Sequence, residues 1–230
     1  MSASLAVLLT WAFIAALFIR DARRDSANSF ALWLPVLWII ITGSRFPSQW
    51  LQLGNPAAVG NVADGSPLDA MIFGLMIVAG VGVLMRRNAF SGQLWRQNAW
   101  LIALLVFGLL SIAWSDFPFI AMKRWIKTLG HPVMAMIVLT DPEPMKSFRT
   151  VMKRAAFVLL PLSVLFVKYL PEFGRGFDPW TGTGYFNGVM LTKNDLGYVC
   201  MIFGLFFLWT LLQECPKSQF SIILKSHIEF

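Results

Sequence analysis

Long apolar stretches separated by short charged intervals run along most of the chain. A transmembrane helix needs about 20 mainly apolar residues, because it crosses a hydrocarbon core of about 30 Å and satisfies its own backbone polar groups. Seven charge-poor segments approach this length, at 3–19, 29–43, 67–85, 99–114, 126–139, 155–170 and 196–212. The pattern predicts an all-α fold, a polytopic transmembrane helical bundle of about seven spans.

The composition agrees with this interpretation. Apolar residues make up 57% of the 230 residues and charged residues only 13%, against about 25% charged residues in an average soluble domain. The composition excludes a disordered chain, a disulfide-stapled secreted domain and an ordinary cytosolic enzyme. Arg20, Arg23 and Arg24 follow the first segment and no basic residue precedes it, which favours a retained helix over a signal peptide.

Basic residues between the segments predict an orientation. One set of alternate loops carries twelve Lys and Arg and the other set carries seven, and the richer set is expected to face the cytoplasm. The N-terminus and the loops 44–66 and 171–195 are then outside, as two outward-facing re-entrant or surface loops. Residues 1–212 form a single transmembrane domain, and residues 213–230 form a polar cytoplasmic tail.

The net charge of +7 fits contact with membrane lipids and positive-inside loops. No basic stripe interleaved with stacking aromatics is present, so no nucleic-acid partner is expected. Cys200 lies in an apolar run, Cys215 lies in the polar tail, and the chain has only two histidines, His131 and His227. Neither a disulfide nor a metal site is indicated.

Three groups of polar residues at the outward ends of the segments could carry chemistry. Residues 43–50 include Arg45, which could instead anchor the chain at lipid headgroups. In the second group Arg124, Thr128 and His131 share one helix face, with Lys127 beside them. Such a cationic face suits a phosphate or diphosphate, and headgroup anchoring is again the alternative.

The third group is the most specific. Glycines, Arg175 and Asp178 fill residues 174–182, and Lys193, Asn194 and Asp195 follow at the start of the last segment. Asn194 or Asp195 could cap that helix, whose positive N-terminal end favours an anion. The alternative is a capped loop that contacts lipid.

At these residues the chain resembles the O-antigen ligase and O-antigen polymerase superfamily of bacterial inner-membrane glycosyltransferases. The loop Gly-Arg-x-x-Asp-x-Trp-Thr-Gly at 174–182 is followed by Gly-Val-x-x-x-Lys-Asn-x-Leu-Gly at 188–197. Ser44-Arg45, Gln49-Trp50 and the Trp-Ser-Asp motif at 114–116 with Arg124 also look like this family.

The resemblance implies polysaccharide biosynthesis at the bacterial inner membrane, for lipopolysaccharide or exopolysaccharide. A glycan on undecaprenyl diphosphate would be transferred at the outer face to a lipid A core or another lipid-linked glycan, without metal or other cofactor. The donor diphosphate would be held by Arg175, Arg124 and Lys193. Supporting positions on the outer face would be Arg45, Asp178, Trp180, Asn194, Gly188 and Gly197.

Family members have ten to twelve spans and a large outer loop in the second half, which supplies a histidine that activates the acceptor. This chain is therefore expected to be a C-terminally truncated member, its catalytic residue unknown and its activity doubtful. His131 sits elsewhere and does not inherit that role. Two alternatives remain open: a non-catalytic membrane partner of polysaccharide assembly proteins, and a transporter or flippase of lipid-linked sugars.

Overall fold

A computed structural model describes residues 2–24, 29–51, 66–89, 98–178 and 180–214. Helices account for most of this part of the chain. They are α1 (Ala3–Arg24), α2 (Trp33–Thr42), α3 (Pro47–Leu51), α4 (Pro67–Arg86), α5 (Ala99–Ser111), α6 (Pro118–Leu139), α7 (Pro144–Tyr169), α8 (Pro171–Gly174) and α9 (Lys193–Glu214). Single 3₁₀ turns, Phe30–Leu32 and Ile112–Trp114, precede α2 and follow α5.

The helices cover all seven predicted segments. Four of them are long and apolar enough to cross a membrane, over Ala3–Arg23, Pro67–Arg86, Pro144–Tyr169 and Lys193–Gln213. The apolar stretches Phe30–Thr42 and Ala99–Trp114 are shorter. The chain is thus a helical membrane protein. That all seven segments cross the membrane, and in which orientation, stay predictions.

Two helices begin well before the predicted segments. Hydropathy predicts the fifth segment from residue 126 and the sixth from residue 155, whereas α6 begins at Pro118 and α7 at Pro144. Lys and Arg interrupt the hydropathy there, but they are good helix formers. Proline suits the first turn of a helix, where its missing N–H is not needed, and so both helices start at a proline.

The centre of the bundle is α7. About 61% of its apolar stretch is buried inside the protein, against 11% for α1. It packs against α1, α2 and α6, and α6 in turn packs against α4. Its own residues in the hydrophobic core include Ala155, Leu159 and Phe166. α7 is therefore the element that fixes the relative positions of the other helices.

A glycine permits the close approach of α2 and α6. A Cβ on Gly130 would lie only 2.0 Å from Cη2 of Trp38, so no larger residue fits under the indole. Trp38 also packs edge-on against Phe73 of α4, with 5.0 Å between the ring centroids. Small residues at helix crossings commonly serve this purpose in membranes.

Ion pairs join the helices at one end of the bundle, which we call the clamp end. Asp21 of α1 pairs with Arg154 at 2.8 Å and with Lys153. Arg87 pairs with Asp141 at 2.9 Å and donates to the carbonyl oxygen of Ile137 at 2.7 Å. These contacts join helix ends that the sequence assigns to the cytoplasmic side.

The opposite end, which we call the hairpin end, differs from the predicted fold in one respect. Within the loop 171–195, β1 (Arg175–Phe177) and β2 (Gly184–Phe186) form a two-stranded antiparallel hairpin. An all-α class therefore misses a small sheet, whose short strands carry little periodic signal. The second predicted loop, 44–66, contains α3, and its residues 52–65 lie outside the described part. So does the predicted tail from residue 215 on.

Candidate functional site

The hairpin orders the glycine-rich loop. Arg175 pairs with Phe186 and Phe177 pairs with Gly184. The turn closes where the N–H of Gly182 donates to the carbonyl oxygen of Asp178 at 2.8 Å. Gly182 has φ +65°, a left-handed conformation that glycine adopts without steric cost. The loop is therefore a defined structure and not an irregular connection.

The Asp178 carboxylate stabilises the tip of the hairpin. It accepts hydrogen bonds from the backbone N–H of Trp180 at 2.9 Å and of Thr181 at 3.4 Å. The Trp180 N–H, and to a lesser degree the Thr181 N–H and nearby Lys193, hold the pKa of Asp178 below its ordinary value. Trp180 itself is 93% exposed.

The hairpin is tied back to the bundle at its base. The N–H groups of Asn187 and Gly188 both donate to the carbonyl oxygen of Gly174, at 3.0 and 3.1 Å. Gly188 has φ +58°, and a Cβ there would lie 2.9 Å from Cβ of Ser163. Gly188 thus has a structural reason to be glycine, since it lets the chain pass against α7.

The start of α9 corrects one prediction. The helix begins at Lys193, so neither Asn194 nor Asp195 is its cap. Thr192 is the cap: its Oγ1 accepts from the N–H of Asp195 at 3.2 Å, and Oδ2 of Asp195 accepts from the backbone N–H of Thr192 at 3.3 Å. This reciprocal pair is a capping box, whose spacing is readable in the sequence. Asn194 lies in the first turn and is exposed.

Two of the predicted diphosphate ligands lie at the hairpin, Arg175 within β1 and Lys193 at the start of α9. Arg175 is exposed, its Nε donates to the carbonyl oxygen of Val167 at 2.9 Å, and its guanidinium lies 5.4 Å from the ring centroid of Phe186. Lys193 lies 3.8 Å from the Asp178 carboxylate and 5.5 Å from the ring centroid of Tyr185. Both cations are accessible and both are attached to ordered backbone.

The two cations contact different faces of the hairpin. Tyr185 and Phe186 are consecutive residues of β2, and side chains alternate between the two faces of a strand. Arg175 lies against Phe186 and Lys193 lies against Tyr185. Both border the hairpin, but the structure does not place them side by side on one face.

Arg124 lies apart from this group. It is exposed on α6, and within the described residues no hydrogen bond, ion pair or ring contact joins it to the hairpin. Its backbone carbonyl accepts from the hydroxyl of Thr128 at 2.9 Å. His131, on the same face, packs edge-on against Trp38 with 5.5 Å between the ring centroids. Within the described residues, no hydrogen bond, ion pair or ring contact joins the second polar group to the third.

Arg45 is buried, whereas a residue that anchors the chain at lipid headgroups would be exposed. Only 8% of it is exposed, and its guanidinium donates to the carbonyl oxygen of Phe173 on α8. The described residues offer its buried Nε no hydrogen-bond partner and no carboxylate that forms an ion pair with it. Burial lowers the pKa of Arg45 from its ordinary value, yet an arginine remains charged at neutral pH.

Neighbouring contacts fix α3 beside Arg45. Both oxygens of Asp69 bind Ser48, one through its N–H at 2.9 Å and one through its hydroxyl at 2.6 Å. Lys127 lies over two aromatic rings, 3.6 Å from the centroid of Phe46 and 4.5 Å from that of Phe73. Lys127, which the sequence places beside the cationic face of α6, thus contacts aromatic rings from two other segments.

Gly197, another predicted supporting position, lies within α9. A Cβ on Gly197 would meet nothing within 4 Å, so packing in the described part does not require glycine there. Asn187 is not among the predicted site residues. It is 7% exposed, and its buried Oδ1 has no hydrogen-bond partner among the described residues. The described residues contain no cluster of His, Cys, Asp and Glu that could hold a metal ion.

The chain is similar to the exopolysaccharide production protein ExoQ of Rhizobium meliloti (strain 1021), with 32% identity over 108 residues. The matched part is 47% of this chain and 23% of that protein, so the chain matches less than a quarter of the relative's length. No family model matches the chain. No solved structure matches it either.

Proposed function

We propose that this chain acts in exopolysaccharide production, in the transfer of a glycan from undecaprenyl diphosphate to a lipid or glycan acceptor at the outer face of the inner membrane. The similarity to an exopolysaccharide production protein supports the pathway. The ordered hairpin that displays Arg175 at one end of a helical membrane bundle supports the chemistry. This placement of Arg175 is the observation that carries the proposal.

Arg175 is suited to a diphosphate in three respects. Its Nε is already bonded to Val167, so the guanidinium is held in one orientation while its terminal nitrogens bind the ligand. Arginine offers paired donors that match phosphate oxygens. The arginine also lies at the end of a membrane bundle, where the head of a membrane-anchored lipid is located.

Lys193 and Arg124 have supporting roles in this proposal. Lys193 is paired with Asp178 and would exchange part of that contact for the diphosphate. Arg124 would bind from α6, on the far side of the ligand from the hairpin. Trp180 would lie at the membrane surface, with Asp178 keeping the hairpin tip in shape.

These cations would also favour the reaction. When the glycosyl bond breaks, the diphosphate leaves with additional negative charge. Cations that bind more strongly to the leaving diphosphate than to the intact donor lower the barrier, because they stabilise the transition state more than the substrate. No described residue is assigned to activation of the acceptor.

The test measures donor binding and transfer with the full chain in nanodiscs. Undecaprenyl diphosphate binds the wild type, and Arg175→Ala weakens binding by about tenfold or more, since losing a charged hydrogen-bonding partner costs about 1.5–3 kcal/mol. Arg175→Lys recovers part of the affinity. Arg23→Ala, which removes an exposed arginine from the clamp end, is the matched control and leaves binding unchanged.

Transfer of a labelled glycan from the lipid-linked donor is then followed in the same nanodiscs. Loss of transfer in Arg175→Ala, with a normal melting temperature, agrees with the proposal. Equal binding and transfer by wild type and Arg175→Ala contradicts it. Donor binding without transfer, together with co-purification of a glycosyltransferase, favours the non-catalytic partner instead.

A further inference from the structure

An apolar cavity of about 390 Å³ opens at the hairpin end between α1, α2 and α7. Its walls include Trp11, Ile40, Leu162, Phe166 and Val189. Its polar lining groups are few, and two of them bond to each other, the indole Nε1 of Trp50 donating to the Ser44 hydroxyl at 3.4 Å. Cavities of this volume are typical of ligand sites, and apolar cavities exclude water.

The cavity lies along the second half of α7. Its lining residues on this helix and just beyond run from Val158 to Leu170, a distance of about 18 Å at 1.5 Å per residue. Trp11, on the α1 side, is 53% exposed, so the cavity has an edge toward the surface that lipid surrounds. A flexible hydrocarbon chain can enter from that side and lie along α7.

A buried cation stands at the rim of the cavity. Arg45 follows the lining residue Ser44, and its guanidinium binds Phe173, three residues after the lining residue Leu170. Its Nε is buried without a hydrogen-bond partner in the described part of the chain. A buried charge without a counter-ion is costly, so this position favours an anionic group.

We propose that the cavity holds the start of the polyprenyl chain of the lipid-linked donor, with the phosphate nearest that chain beside Arg45. The assignment rests on the proposed function and adds the location of the lipid chain. A single apolar chain with an anionic head matches both features, an apolar cavity along α7 and an uncompensated cation at its rim. Arg45 binds the carbonyl oxygen of Phe173, which lies two residues before Arg175 in the chain. The second phosphate would therefore extend toward Arg175.

The test uses the full chain in detergent and native mass spectrometry, with undecaprenyl diphosphate, the neutral alcohol undecaprenol and phosphatidylglycerol as probes. Leu162→Trp fills the cavity from α7. Val164→Trp is the matched control, because Val164 lies two residues away and is 62% exposed. Arg45→Gln removes the charge at the rim and Arg45→Lys keeps it.

The proposal expects Leu162→Trp and Arg45→Gln each to weaken undecaprenyl diphosphate binding by about tenfold, the size expected for a lost charged or buried contact. Val164→Trp leaves the affinity unchanged, and Arg45→Lys retains more of it than Arg45→Gln. Undecaprenol binding falls in Leu162→Trp but not in Arg45→Gln. If Leu162→Trp lowers the melting temperature, Leu162→Phe repeats the measurement with a smaller added volume.

Three results would overturn the assignment. The first is an unchanged affinity for undecaprenyl diphosphate in both Leu162→Trp and Leu162→Phe. If Arg175→Ala still weakens binding in that case, only the cavity assignment fails and the proposed function stands. The second is phosphatidylglycerol binding as tightly as the donor and responding equally to the variants, which assigns the cavity to bulk lipid. The third is no donor binding by the wild type, which also removes the proposed function.

Discussion

Asp21 and Arg154 lie 133 residues apart in the sequence, yet their side chains are joined by a hydrogen-bonded ion pair of 2.8 Å inside the protein. Asp21 is 3% exposed and Arg154 is 6% exposed. The guanidinium also lies 5.0 Å from the ring centroid of Trp33. The pair fastens the end of α1 to the first half of α7, at the clamp end of the bundle.

Removing one member of this pair should destabilise the protein strongly. Asp21→Ala leaves the guanidinium of Arg154 buried with less compensation, and breaking a buried pair in this way costs about 3–5 kcal/mol. The double variant Asp21→Ala, Arg154→Met should recover much of the loss, because apolar replacements of buried pairs are often nearly neutral. Thermal and denaturant unfolding in detergent measures both.

Glu143→Ala is the control for this comparison. Glu143 is exposed and lies 3.9 Å from Lys146, and an exposed pair contributes at most about 1 kcal/mol. If Asp21→Ala lowers the unfolding free energy no more than Glu143→Ala does, the Asp21–Arg154 pair does not hold α1 against α7.

Gly182 and Gly188, which both have positive φ, should respond differently to alanine. Gly182→Ala places a Cβ in open space at φ +65°, so its only cost is the left-handed conformation, about 1–2 kcal/mol. Gly188→Ala carries the same cost and also places its Cβ 2.9 Å from Cβ of Ser163. Its unfolding free energy, measured by denaturant titration in detergent, should therefore fall further.

Gly204→Ala serves as the reference for these two variants. Gly204 lies inside α9, where a Cβ would meet nothing within 4 Å, and alanine is favoured over glycine in a helix by about 1 kcal/mol. The unfolding free energy of Gly204→Ala should therefore be equal to or higher than that of the wild type. Equal losses in Gly182→Ala and Gly188→Ala would argue against tight contact between the hairpin base and α7.

The hairpin tip should loosen at acidic pH. Since the pKa of Asp178 is lowered below its ordinary value of 3.8, the carboxylate stabilises the tip at every pH above that value. This stabilisation is lost as the pH falls through the lowered pKa. In protein labelled with ¹⁵N-tryptophan, the amide shift of Trp180 should titrate with a midpoint below 3.8.

Asp178→Asn keeps an oxygen that can accept from the Trp180 N–H and removes the ionisation. Its Trp180 amide shift should not titrate in this range. An Asp178 variant with the same midpoint as the wild type would assign the titration to another group.

The cap of α9 can be tested one residue at a time. Thr192→Ala removes the hydroxyl that accepts from the Asp195 N–H, and loss of such a cap costs about 1 kcal/mol. Thr192→Ser should keep most of this stability. Asn194→Ala should change the unfolding free energy by less than about 0.5 kcal/mol, as surface changes usually do. A larger loss of unfolding free energy in Asn194→Ala than in Thr192→Ala would show that Asn194 is the cap.

Part of the candidate site was predictable from the sequence. The glycines, Arg175 and Asp178 in one loop indicate an ordered anion site, and the loop is an ordered hairpin. The capping box is also readable, from the Thr192-x-x-Asp195 spacing, although residue type alone favours Asn194 and Asp195 as caps. The burial of Arg45 was not predictable, since its partner is a backbone carbonyl 128 residues away and such a bond leaves no mark in the sequence.

The sequence by itself determined that the chain is a helical membrane protein and where its apolar segments lie, because burying backbone in lipid requires long apolar helices. It also determined which loops carry cations. The starts of α6 and α7, at Pro118 and Pro144, came from the structure. Only the tertiary structure decided that Arg175 and Lys193 lie against different faces of a hairpin, and that Asp21 pairs with Arg154. It also decided that Arg124 has no hydrogen bond, ion pair or ring contact with Arg175 or Lys193 in the described part of the chain. These relationships depend on how helices pack over long sequence distances, and hydropathy and local spacing carry no information about that packing.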